Sequence, residues 1–345
     1  MKKIVLFSLV GLLILLFGGC GLTPFTTTGV EQPPEVTEGL EIELDPAVNL
    51  ELAQTKGSTI FIPNNDTSIG TWDPVTRIYT LTTDLNEGIE IDEDNLTLDG
   101  AGHTITGTGS GIGVYLERMS NVTVKNCVVS GFWNGIYLCY DSSNNTLTNN
   151  TVNTNYYGIR LSISSSNTLT GNTINNNNYY PIILDGYSNF NKVYNNNFID
   201  NAIQAYNGGS GNEFYLAKPV GGNYWSDWTS PDVDYDGFVD SPYVFTGGQD
   251  NLPWVCQDGW KPAGATGYLI TIVEDFELPT GIEKSLTVLL EAAINALDNY
   301  HEQAAIGQLT GFIHHVEGLQ NGNILTEEQA QTLIAAAQGI IDSIQ

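Results

Sequence analysis

The sequence predicts a mainly β protein: a right-handed single-stranded parallel β-helix, or solenoid, followed by a small three-helix C-terminal domain. Three observations predict it: a repeat of 22 to 24 residues, short period-2 apolar segments within each repeat, and Asn, Gly and Ser between those segments. Four segments carry one strand: Val124–Val129 (VKNCVV), Leu147–Val152 (LTNNTV), Leu169–Ile174 (LTGNTI) and Val193–Phe198 (VYNNNF), spaced 23, 22 and 24 residues apart. A second strand recurs in step at Gly135–Leu138, Gly158–Leu161, Pro181–Leu184 and Ala202–Ala205, with Leu96–Leu98 and Gly113–Leu116 supplying an earlier coil. So short a repeat cannot hold a helix pair. One coil cannot bury its own apolar face, whereas stacked coils bury each other's.

The repeat fixes the expected columns. Leu98, Val124, Leu147, Leu169 and Val193 form one, and Val114, Ile136, Ile159, Ile182 and Ile203 another. At about 4.8 Å per coil, five coils make a rod of roughly 25 Å. Asn150, Asn172 and Asn196 fall level with Cys127, beside a column of Asn126, Asn149 and Asn195. Asn tolerates the left-handed backbone of tight turns, and stacked amides hydrogen-bond along a rod. The Asn-x-Thr triplets therefore read as turn ladders rather than glycosylation signals.

Before the rod, residues 1–20 read as a lipoprotein signal peptide. Lys2 and Lys3 precede a 14-residue apolar run, Ile4–Phe17, shorter than the roughly 20 residues of a membrane span. The run ends at Gly18-Gly19-Cys20, which resembles a bacterial lipobox with Phe17 in place of the usual Leu, so Cys20 is the expected lipidation site. Residues 21–45, with Thr26–Thr28 and Pro33-Pro34, have linker composition. The β-helix with its N-terminal cap is assigned to 46–215, and an acidic, Trp-rich cap to 216–260. The remaining 261–345 hold a linker strand at Gly267–Val273 and three helices. Leu286, Leu289, Leu290, Ala293 and Leu297 mark the first helix, and Leu309, Phe312, Ile313 and Val316 the second. Leu333, Ile334, Ala337, Ile340, Ile341 and Ile344 mark the third, with Thr326 and Gln329 as a capping box before it.

With 39 acidic against 11 basic residues the formal charge is −28, a field that repels phosphate backbones and excludes nucleic acid as a partner. The 17 Tyr, 12 Phe and 6 Trp exclude a disordered acidic tail. Cys127, Cys139 and Cys256, an odd and scattered set, form no disulfide framework.

The opening coil Asn95–Ile105 (NLTLDGAGHTI), the segment Gly222–Asp227 (GNYWSD) and the stretch Asp232–Tyr243 (DVDYDGFVDSPY) resemble the NosD-type β-helix family. That family comprises periplasmic and cell-surface proteins, including the accessory protein of nitrous oxide reductase. The resemblance covers roughly residues 80–255. It implies export and raises copper as a metal. The C-terminal helices resemble a small module found at the ends of extracellular proteins, which implies location and assembly rather than a reaction.

Two candidate sites follow from residue types. Asp232, Asp234, Asp236 and Asp240 alternate around Gly237, and with the Phe238 carbonyl they suit Ca²⁺, which takes about six to eight oxygens. Tyr243 stands where an EF-hand loop has its bidentate Glu. Trp133, Tyr156 and Tyr179 recur at intervals of 23 residues as an exposed aromatic column, flanked by Tyr157 and Tyr180. Such rings stack on each other and offer a face to sugars. Copper needs imidazole, thiolate or thioether. His103, His301, His314, His315, Met119 and the cysteines show no clustered spacing, so no copper site is evident. For catalysis, coil alignment puts Asp185 level with Glu117 but three coils away, roughly 14 Å, too far for a carboxylate dyad. Asp99 and His103 read as a local turn pair.

The reading is a lipid-anchored protein of the cell envelope, on the outer face of a membrane or in the periplasm. Its β-helix is a non-catalytic binding or scaffolding rod, for polysaccharide or another envelope protein, with a Ca²⁺-stabilised cap. A polysaccharide lyase or hydrolase is the alternative, and a copper-delivery accessory protein the second.

Overall fold

The computed structural model describes residues 59–64 and 66–345; Cys20, the signal peptide and the 21–45 linker lie outside them. Three parallel sheets line the rod, and each coil contributes one strand to each sheet. Sheet A stacks Thr59–Ile62, Gly88–Ile91, Ile112–Glu117, Asn134–Cys139, Tyr157–Ser162, Ile182–Leu184 and Tyr206–Asn207. Sheet B includes Thr97–Asp99, Thr123–Lys125, Thr146–Thr148, Thr168–Thr170 and Lys192–Tyr194. Sheet C runs from Thr104–Thr106 through Val128–Ser130, Thr151–Asn153, Thr173–Asn175 and Asn197–Ile199 to Tyr224–Trp225. At the N-terminal end Gly70–Asp73 pairs antiparallel with Ile78–Leu81.

Each sheet supplies one inward column. In sheet B, Leu98, Val124, Leu147, Leu169 and Val193 pair in register as expected, and all are buried. In sheet C, Ile105, Val129, Val152, Ile174, Phe198 and Trp225 do the same. Burying one such side chain contributes roughly 1.5–3 kcal/mol, so stacking is what stabilises the coils.

Sheet A corrects one expected position. Val114, Ile136, Ile159 and Ile182 stack as predicted, but Ile183 pairs with Tyr206, which puts Ala205 level with Ile182. Ala205 is buried, whereas Ile203 is 39 % exposed. A slip of two residues keeps the strand phase, so alternation cannot distinguish the two; the length of the preceding turn decides.

Asn side chains close all three corners. In the first ladder Asn150 Oδ1 accepts the Cys127 amide (3.0 Å), and Asn172, Asn196 and Asn223 repeat the bond coil by coil. Parallel ladders run through Asn145, Asn167, Asn191 and Asn212, and through Asn155, Asn177 and Asn201. Only the first was anticipated. Asn126, Asn149 and Asn195 adopt the expected positive φ, with Gly171 holding that turn in the intervening coil at φ +71°.

Four helices follow: α1 (Pro262–Asp275), α2 (Thr280–Asp298), α3 (Glu302–Asn321) and α4 (Glu327–Ile344). The segment 267–273, expected as a strand, belongs to α1. Its β-branched residues suggest a strand, but Pro262 opens the helix and Thr266, Leu269, Ile272 and Val273 bury one helical face. The other three helices match their predicted faces, and Thr326 and Gln329 form the predicted capping box. No helix among the described residues is long and apolar enough to cross a membrane.

Candidate functional site

Trp133, Tyr156 and Tyr179 sit at the corner that leads into sheet A. Trp133 and Tyr156 stack with centroids 4.0 Å apart and 9° between planes, and Tyr156 and Tyr179 follow at 5.5 Å and 25°. Tyr157 meets Tyr156 edge-on at 4.9 Å, and Tyr180 meets Tyr179 likewise at 4.5 Å. The five rings form one continuous aromatic strip. They are half-buried rather than fully exposed as the spacing suggested, because each edge-on neighbour covers part of the next ring.

Sheet A continues this strip outward. A β-carbon on Gly135 would meet Val152 Cγ1 at 2.7 Å and Asn155 Nδ2 at 2.8 Å, so the backbone turns its glycine to the interior here. The residue before it then faces out. Ile112, which pairs in register with Asn134, packs with Tyr115, Tyr137 and Cys139 in a separate outer cluster. Asn134 in turn pairs with Tyr157, and Tyr137 with Arg160. The Arg160 guanidinium lies 5.3 Å from the Tyr137 ring centroid and 5.6 Å from that of Tyr157, and its Nη2 donates to Asp185 Oδ2 at 3.2 Å. The pairing of Arg160 with Asp185 crosses one coil.

Glu117 accepts the Tyr115 hydroxyl at 2.8 Å and pairs with Arg118, in register with Cys139 and Ser162. It therefore lies three coils from Asp185, roughly 14 Å, and the two carboxylates form no catalytic pair. The expected Asp99–His103 pair is not made. His103 Nδ1 meets Asp84 Oδ1 at 3.2 Å, and Asp99 instead engages Lys125 and Asn126. Both residues found partners on neighbouring coils, closer than each other.

In the acidic loop, Asp232, Asp234 and Asp236 each offer a carboxylate oxygen within 4.8 Å of the others. Gly237, at φ +90°, makes the turn that brings them together. Asp232 is buried and receives the Asp236 amide (3.2 Å), the Gly237 amide (2.8 Å) and the Tyr268 hydroxyl (2.8 Å). Burial pushes its carboxyl above the usual range, against the pull of those donors. Lys218 pairs with Asp236. Asp240 Oδ2 takes the Val233 amide at 2.8 Å, and the Phe238 side chain is buried against Trp254.

The copper-type donors lie apart. Burial pushes the Cys127 and Cys256 thiols up to about 12 and Cys139 up to about 11. His314 pairs with Glu317 and His315 with Ser285. Among the described residues no group of three or more metal-ligating side chains includes a His or Cys.

Fold and surface together define a parallel β-helix protein with a helical module after the rod. The chain belongs to the NosD family, described as periplasmic copper-binding protein, which matches residues 53–230. A FIMAH domain matches residues 269–342, covering most of α1 to α4. No curated protein and no solved structure is significantly similar to the chain. Among the described residues the donors do not fit the copper of the family's description: burial holds the Cys127, Cys139 and Cys256 thiols protonated, and the adjacent His314 and His315 are engaged with different partners, Glu317 and Ser285.

Proposed function

We propose that this chain is a lipoprotein anchored through Cys20, whose β-helix binds an extended polysaccharide along its aromatic strip without cutting it. The observation that carries this reading is the strip itself. Trp133, Tyr156 and Tyr179 present consecutive rings at coil spacing, and Tyr157 and Tyr180 widen the surface. The rings stack on each other, so the strip offers its apolar edge to the sugars, each contact adding on the order of 1 kcal/mol, and affinity accumulates along a chain of residues. The separation of Glu117 from Asp185 argues against hydrolysis on this face. Ca²⁺ at Asp232, Asp234 and Asp236 is the proposed stabiliser of the cap, with Asp240 and the Phe238 carbonyl as further ligands.

The test is binding of the intact chain to soluble polysaccharides with melting followed in parallel. Tyr156→Ala alone should weaken binding modestly, and the triple alanine variant at Trp133, Tyr156 and Tyr179 should abolish it. A folded triple variant that binds like wild type, or release of reducing or unsaturated ends, overturns the proposal.

A further inference from the structure

Resting on the platform reading above, we infer that the outer face of sheet A around Tyr157 is a subsite for a neutral, hydroxyl-rich sugar. Asn134 is fully buried, yet neither its Nδ2 nor its Oδ1 has a hydrogen-bond partner. Trp133 Nε1 and Arg160 Nε are buried without a partner as well. Buried polar atoms are almost always paired, and an unpaired one is destabilising, so four on one small face call for an explanation. The remaining buried Asn side chains of the corner ladders are paired coil to coil, which shows that this fold satisfies amides where it needs them only for structure.

All three side chains gather around Tyr157. The Trp133 ring meets it edge-on at 6.0 Å, the Arg160 guanidinium stands 5.6 Å from its centroid, and Asn134 is its partner in register. The unused set is three donor groups and one acceptor. Sugar hydroxyls both donate and accept, and adjacent hydroxyls on one ring meet such a set from a single pose.

Charge selects the class of sugar. Arg160 is already committed to Asp185, and Glu117 to Arg118, so the face carries no free positive charge. The chain as a whole is at −28, a field that repels polyuronates and sulfated polymers. A neutral polymer meets no such barrier.

The test uses Asn134→Ile, which places in the column the residue that Ile112 already supplies one coil earlier. Removing the unpaired amide should raise the melting temperature, while affinity for neutral polymers falls about tenfold, the loss of one or two hydrogen bonds. A structural asparagine would lose stability instead. Binding is measured on the intact chain, in chelator, against a panel of glucan, galactomannan and arabinoxylan and against polygalacturonate. Arg160→Lys, which keeps the charge but removes the guanidinium Nε donor, should weaken binding in the same direction. Neutral polymers should bind and polygalacturonate should not. Unchanged affinity in Asn134→Ile, while the aromatic triple variant has lost binding, overturns the subsite and leaves the platform standing. Polygalacturonate binding as tightly as the neutral polymers also overturns the subsite. Failure of every polymer to bind wild type overturns the platform reading and the subsite with it.

Discussion

Asp250 Oδ2 accepts the backbone amide of Asn223 at 2.6 Å and its side-chain amide at 3.3 Å, closing the ladder that begins at Cys127. Every earlier rung is an asparagine, which accepts from one coil and donates to a carbonyl of another. The last rung has no further coil to serve and needs only to accept, which a carboxylate does. Trp225 Nε1 bonds the same oxygen at 3.0 Å, and the Leu252 amide bonds Oδ1 at 3.0 Å. Gly222 makes room, since a β-carbon there would lie 1.9 Å from Asp250 Oδ1.

Asp250 makes the cap sensitive to pH. Burial outweighs its donors and pushes its carboxyl from an ordinary 3.8 up to about 6. The folded state therefore holds a proton that the unfolded state has released. The associated stability is fully present below pH 3.8 and is lost as pH rises through about 6. The loss is on the order of 2–3 kcal/mol. In Asp250→Asn, which resembles the protonated carboxyl, the difference from wild type should grow in the variant's favour between pH 4 and 7. Urea unfolding of both proteins across that range checks it; parallel curves refute the assignment.

Interior rungs should cost more than terminal ones. Asn172 is fully buried, accepts from Asn150 and donates to the Leu147 carbonyl. Asn172→Ala strands both partners, and with about 1–3 kcal/mol for each unpaired buried group it should destabilise by about 3 kcal/mol. Asn212→Ala, at the half-buried end of its ladder, should cost about 1 kcal/mol. Equal losses in denaturant unfolding would contradict this order.

Calcium should raise the melting temperature by linkage, since the three carboxylates converge only in the folded chain. The expected affinity is weak, about 10⁻⁴–10⁻³ M as in extracellular modules. Asp234→Ala with Asp236→Ala should abolish the shift. A melt indifferent to calcium and chelator in the wild type sinks the site.

Cys20 should carry the lipid. Cells fed a labelled fatty acid should label the wild type and leave Cys20→Ser unlabelled; equal labelling of the two removes the anchor.

The aromatic strip and most of the core were legible because a fixed repeat turns sequence spacing into spatial neighbourhood. Once Ile159 and Ile182 are aligned, Tyr156 must lie beside Tyr179. The unpaired amide of Asn134 was not legible: nothing in its local sequence distinguishes it from the ladder asparagines, and only the turn at Gly135 sends it to the outer face. Likewise the pairing of His103 with Asp84 rather than Asp99 depends on which neighbouring coil comes nearer.

By itself, then, the sequence determined the solenoid, its inward columns and the stacked rings, since these depend only on a period and on which residues alternate. The tertiary structure decided what lies beyond the period. It replaced Ile203 by Ala205 through the length of a turn, and made 267–273 a helix by giving Leu269, Ile272 and Val273 a face to bury. It also brought Asp250 back from outside the repeat to end an asparagine ladder. In each case the residue's partner comes from a segment that no repeat places, and packing rather than spacing sets the position.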